Sequence, residues 1–176
     1  MRVLDAARWA PSAHNRQPWR FAVIPRGPKR EALLRAMAER WREDLRADGL
    51  SPEAIEARVA RSQSRLREAP VLILVALSMQ DMDVYEDERR RTAEYVMAVQ
   101  STAMAGQNAL LAAHALGLGA CWVCAPLYTP DVVRSVLGLP EDWIAQGFIT
   151  LGFPAETRQG ERRPLTDVVR WLEDEP

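Results

Sequence analysis

Between Val71 and Leu77 the chain carries seven consecutive apolar side chains and no polar one, in the run PVLILVALS. That is too short for a membrane span and rich in β-branched residues, so it reads as a strand. A strand that is apolar on both faces has to be covered on both. The rest of the chain must therefore provide layers above and below a sheet, and this constrains every other segment.

The flanking segments have the right patterns. A short helix ends over residues 4–10, a loop runs between Pro11 and Pro18, and residues 19–24 alternate like a strand. Pro28 opens a helix in which Leu33, Leu34, Met37, Trp41 and Leu45 recur at three and four residues, until Gly49 stops it. Ser51 and Pro52 form the cap and first turn of a second helix, to about residue 68, with Ile55, Val59 and Leu66 on one side. Together they make a hairpin dense in Arg and Glu, read as a solvated face. A polar loop, QDMDVYEDE, leads to the longest helix, roughly 89–116. Its centre, AVQSTAMAGQNALLAAHAL, is filled with Ala, Gly and Ser, which lets another element approach closely at a buried position or a subunit interface. Gly117 and Gly119 end it. ACWVCA follows as a short strand, Thr129 and Pro130 start a small helix to residue 137, and GFITLGFP is the last strand. Beyond residue 155 the chain is polar, with one short amphipathic piece, LTDVVRWL. No repeat or linker divides it. The expectation is a single α+β domain over residues 1–176, a small mixed sheet flanked by helices.

Composition removes several function classes. The net charge is −1, which points away from nucleic acid and acidic membranes. No basic-then-apolar leader opens the chain, which reads as cytoplasmic. Of 23 basic residues only Lys29 is a lysine, leaving little for Schiff-base or P-loop chemistry. The nine glycines form neither G-x-G-x-x-G nor G-x-x-x-x-G-K-[ST], and G-x-S-x-G and H-E-x-x-H are absent. A Ser-His-Asp triad would have to use His14 or His114, and His114 lies in an Ala/Leu helix.

Cys121 and Cys124 form CWVC. A thioredoxin-like motif would open a helix after a strand, whereas this one follows a helix and its glycine stop. A zinc site would need two more ligands, and only the two histidines remain. Two small buried thiols beside whatever the strand lines is the reading left in front. Three separated segments could hold a flat, phosphate-bearing ligand. The first is the Pro11–Pro18 loop, where Ser12, Asn15 and Gln17 concentrate donors and acceptors between rigid ends. The second is the strand with Trp122, and the third is the pair Arg162 and Arg163, suited to a phosphate.

These segments resemble a known family. AARWAPSAHNRQPWRFAVI looks like the A-x-x-A-P-S-x-x-N-x-Q-P-W-x-F signature of the FMN-dependent nitroreductases; GLGACWV, ITLGFP and GERRPLTDVVRW are similar to later segments of that family, in order. The hairpin and ERRRTAEYVMAV resemble one branch, the C-terminal flavin domain of the coenzyme F420:L-glutamate ligase, implied to reduce a dehydro precursor of the deazaflavin. The resemblance implies an intertwined homodimer with FMN at the interface and NADH or NADPH as hydride donor. Ser12, Ala13, Asn15 and Gln17 would line the flavin, the backbone of Cys121, Trp122 and Val123 would approach its reactive edge, and Arg162 or Arg163 would meet its phosphate. His14 and Cys124 would face the substrate, Cys124 standing where the family usually has glycine. No catalytic side chain is implied, because the flavin carries the chemistry. A general nitro or quinone reductase and a flavin-free binding protein of the same fold are the alternatives.

Overall fold

The computed structural model describes residues 1–156 and 160–172. The elements run α1 (Arg2–Ala7), β1 (Trp19–Pro25), α2 (Pro28–Ala47), α3 (Pro52–Glu68), β2 (Val71–Leu77), α4 (Glu88–Ala115), β3 (Gly119–Val123), α5 (Pro130–Leu137) and β4 (Ile144–Gly152), with short 3-10 turns between. The apolar run is β2, and it lies inside a four-stranded sheet of order β1-β2-β4-β3. Its side chains divide as its composition requires. Leu72, Leu74 and Ala76 join a cluster with Leu33, Leu34 and Met37 of α2 and Val133 of α5. Ile73 and Val75 join Val3 and Ala7 of α1 and Ala109 and Ala113 of α4 on the opposite face.

Every neighbouring pair is antiparallel, so the sheet is not the mixed one expected from the helical connections. The reason is the path of the chain. The α2–α3 hairpin returns it to the same end, so β2 runs against β1. The single helix α4 then makes β3 parallel to β2, but β4 is inserted between them. Gln146 is an extra residue between Val75 and Ala76 of β2, a bulge that its own amide braces by donating to the carbonyls of Ile144 and Ala145 at 3.3 and 3.2 Å.

Local chemistry sets the ends. Ser51 Oγ accepts from the Ala54 N–H at 3.3 Å and Pro52 opens α3. Asp87 caps α4 by accepting from the Arg90 N–H at 3.0 Å, and its bonds to Arg90 hold its carboxyl below the usual range. Gly117, at φ 72°, lets Leu118 N–H reach back to the Ala113 carbonyl at 2.9 Å and stop α4. The expected amphipathic piece in the tail is only a 3-10 turn, Leu165–Asp167, and residues 160–172 are exposed throughout. Among the described residues no helix is long and apolar enough to cross a membrane.

Candidate functional site

Among the described residues, the Pro11–Pro18 loop has the most unusual backbone. His14, Asn15 and Gln17 all have positive φ, at 50°, 54° and 50°. Asn and His reach the left-handed region more readily than Gln, and such residues cost on the order of 1–3 kcal/mol each. The surroundings hold the loop in place. Ser12 Oγ accepts from the Gln17 N–H at 3.0 Å, and Ser12 O accepts from the Asn15 N–H at 3.0 Å. Ala13 N–H donates to Ser101 Oγ of α4 at 3.4 Å, and that hydroxyl donates to Met97 O at 2.7 Å. The polar loop after β2 clamps the outer side: Arg16 pairs with Asp83, Arg20 with Asp81 at 3.2 Å, and Ser78 N–H donates to Pro18 O at 2.8 Å. The loop is therefore a fixed, strained platform. Among the described residues no protein group bonds the Asn15 amide or the His14 ring, and both residues are exposed. Donors held out to solvent at a conformational cost are what a binding loop needs and a plain connector does not.

Trp122 occupies a slot made by two glycines. A Cβ at Gly106 of α4 would lie 2.5 Å from Trp122 Cζ3, and one at Gly147 of β4 would lie 2.5 Å from Cζ2. Part of the small-residue character of α4 is thus explained within the single chain, since Gly106 makes room for the indole. The indole N–H donates to Cys124 Sγ at 3.1 Å, so the Cys124 thiol is turned toward Trp122. Both cysteines are exposed and free, which corrects the expectation of buried thiols. β3 is the sheet's edge, so only one side of it is covered by a neighbouring strand. Trp122 packs on the α4 face and Val123 on the α2 face. By alternation Cys121 shares the face of Val123, while Cys124 meets the indole on the other, an arrangement unsuited to a dithiol pair. Among the described residues no group of His, Cys, Asp or Glu could hold a metal.

The loop and Trp122 both bear on α4, through Ser101 and Gly106, about 7.5 Å apart along its axis. They serve opposite edges of the sheet, however: β1 and β3 are separated by β2 and β4, roughly 14 Å at ordinary strand spacing. Arg162 and Arg163 lie on the exposed tail, where Arg162 donates to Glu161 O at 2.8 Å; among the described residues neither bonds to the loop or to β3. Ser101, Asp83, Gly106 and Gly147 support the candidate site and were not singled out from sequence. Only Gly147, isolated in an apolar strand, carried a local signal of close approach.

A profile of the nitroreductase family matches residues 1–153. The chain belongs to the nitroreductase family. The match takes in the Pro11–Pro18 loop and β3 and ends before Arg162 and Arg163. Among curated relatives, an NADH dehydrogenase of Thermus thermophilus is 30% identical over 96% of this chain and 82% of its own length. A 5,6-dimethylbenzimidazole synthase of Rhodospirillum rubrum is 31% identical over 88% and 71%. Among solved structures, a nitroreductase-like protein of Desulfovibrio desulfuricans in complex with FMN is 30% identical, with a TM-score of 0.72 over 99% of this chain and 83% of that one. A BluB-like flavoprotein of Clostridium difficile has the same fold, at TM-score 0.76 and 24% identity over 97% and 87%.

Proposed function

We propose that this nitroreductase-family chain is an FMN-dependent NAD(P)H oxidoreductase, a single domain over residues 1–176 acting as a cytoplasmic homodimer. The observation that carries the reading is the strained loop, with its unbonded Asn15 amide presented beside α4. The residues present fit FMN: neutral hydrogen-bonding groups for the ring's rim, an open strand edge, and arginines with no acid partner among the described residues for a phosphate. In this reading Ser12, Ala13, Asn15 and Gln17 hold the rim, the β3 backbone at Cys121, Trp122 and Val123 meets the reactive edge, and Arg162 or Arg163 neutralises the phosphate. His14 and Cys124 face the acceptor. When bound, FMN supplies hydride chemistry between a reduced nicotinamide and an organic acceptor. The protein's part is to orient, to exclude water, and to place N–H donors where negative charge develops.

Two surfaces support the dimer. Val96, Met104 and Leu111 expose apolar side chains within about 80° of one another around α4, and the tail exposes Leu165, Val168, Trp171 and Leu172. A second copy would also relieve the separation of loop and β3, bringing one protomer's loop to the other's strand.

The acceptor we favour is a large anionic one, a dehydro precursor of coenzyme F420. Arg58, Arg61 and Arg65 lie exposed along α3 at spacings of three and four, and among the described residues no acid pairs with them, whereas Arg42 and Arg67 are paired with Glu56 and Glu31. A general nitro or quinone reductase is the second reading, favoured by the likeness to the D. desulfuricans protein. Titration with a deazaflavin separates the two. Asn15→Ala should lower flavin affinity about tenfold or more, by loss of a rim hydrogen bond, while lowering the melting temperature by only a few degrees, the cost of alanine in left-handed backbone that asparagine adopts more easily. Flavin absorbance of the purified protein reads this directly. Full occupancy in the variant would remove Asn15 from the site, and a wild-type protein that stays colourless with added FMN would end the flavoprotein reading.

A further inference from the structure

Two ion pairs join the strained loop, and the strand after it, to the polar segment between β2 and α4. Arg16 pairs with Asp83, and Arg20 pairs with Asp81 at 3.2 Å. The two acids flank Met82, which is buried and packs with Leu77 of β2 and Ala98 of α4. Both carboxylates therefore stand on a stretch of chain plugged into the core.

The arginines act on the strained backbone itself. Arg16 lies between Asn15 and Gln17, two of the three residues with positive φ. Arg20 reaches the same place from β1: while its Nη2 meets Asp81, its Nη1 donates to the carbonyls of Gln17 at 3.2 Å and Trp19 at 3.0 Å. Residues 14–17 bond otherwise only within the loop, the Gln17 N–H to Ser12 Oγ, the Gln17 amide to Asn15 O, and the N–H groups of Asn15 and Arg16 to Ser12 O and Ala13 O. Among the described residues, every hydrogen bond from this stretch to the rest of the molecule passes through Arg16 or Arg20. The part of the loop that carries the strain is held down by charge.

We infer that Arg16 and Arg20 are positioning residues of the proposed flavin site, and that their two ion pairs form a salt-sensitive latch through which flavin affinity falls as ionic strength rises. The inference rests on the flavin reading above. Left-handed backbone relaxes when its ties are loosened, and only the latched fraction presents the rim groups. Each pair is partly exposed, so each is weak and open to screening. Together they are worth a factor of about three to ten in the loop's equilibrium.

Riboflavin is the probe, because it has the ring without the phosphate and brings no charge of its own. It is titrated into the purified full-length protein, by flavin fluorescence, at about 20 mM and about 500 mM sodium chloride. Wild type should bind about threefold more weakly at the higher salt. Asp81→Asn with Asp83→Asn should bind about fivefold more weakly at low salt and no longer respond to salt. Asp83→Arg should also weaken binding, and Arg16→Asp added to it should restore most of the loss. Amide exchange at Asn15 and Gln17 in flavin-free protein should quicken with salt in wild type and not in the double asparagine variant. A wild-type affinity indifferent to salt, an asparagine variant with the wild-type salt response, or a charge swap that restores nothing would each overturn the latch. If wild type takes up no riboflavin even at low salt, the flavin reading fails, and the exchange rates judge the latch alone: quickening by salt supports it and constancy overturns it.

Discussion

Replacing Arg30 with alanine is expected to destabilise the protein by about 3–5 kcal/mol, the largest loss we foresee from any single side chain of the hairpin. Arg30 sits in the first turn of α2 and is 1% exposed. Its guanidinium donates to Leu66 O, to Ala69 O at 2.7 Å and to Pro70 O at 3.5 Å, carbonyls at and just beyond the C-terminal turn of α3. Those groups have no partner within the helix, and a cation there also meets the negative end of the helix dipole. Burial, and then the neighbouring Arg26, lower the pKa of Arg30, yet a guanidinium stays charged at any working pH. No carboxylate bonds it; the carbonyls alone replace its water. Removing it leaves them buried and unpaired where the hairpin joins β2. In a chain of this size the loss should appear as a fall in Tm of about 8–15 °C by circular dichroism. Arg30→Lys should recover only part of it, since one ammonium cannot present the same fork. A fall under about 2 °C for the alanine variant would mean that the carbonyls find other partners and that Arg30 does not pin the hairpin.

Arg30 also shows where reading the sequence stops. The hairpin's arginines look alike in the chain, and most behave as a solvated face: Arg42, Arg58, Arg61, Arg65 and Arg67 all reach solvent. Nothing local marks Arg30 as the one whose head group is buried, because its partners lie 36 to 40 residues away. Features fixed by near neighbours were legible. The apolar run became β2 with the bounds its composition implies, and the Ser51–Pro52 start and Gly117 stop fell where capping chemistry puts them. Strand order was not legible. Whether β4 enters between β2 and β3 is a long-range choice, and with it went the direction of the two pairings that β4 makes. The exposure of the two thiols went the same way, since β3 turned out to be an edge and edges are set by what does not pair.

The candidate site divides along the same line. The polar residues of the Pro11–Pro18 loop stand out in sequence because they crowd between two prolines. Their left-handed backbone does not, since three such residues within four positions are unusual unless distant groups impose them, here Ser101 and the Asp81–Asp83 segment. The glycines that receive Trp122 come from two elements 41 positions apart, α4 and β4, and neither makes sense without the other.

That slot gives the second large effect. Gly147→Ala should destabilise by about 2–3 kcal/mol, because the new methyl would lie 2.5 and 2.6 Å from Trp122 Cζ2 and Cε2 and 3.0 Å from Nε1. A single clash in a core is often relieved by a small side-chain shift. Here Gly106 approaches the same ring at Cζ3, so little room is left on that side, and the bond from the indole to Cys124 is lost if the ring swings out. Strain and expulsion of Trp122 should both appear, as a lower denaturation midpoint and a red-shifted tryptophan emission. The decisive experiment is a double-mutant cycle with Trp122→Leu, which clears the slot at its own cost. In that background Gly147→Ala should become nearly neutral, giving a coupling of about 2 kcal/mol between positions on neighbouring strands. An equal penalty with and without the indole would show that the methyl offends the β4 backbone at the bulge instead, and that the two glycines are not there for Trp122.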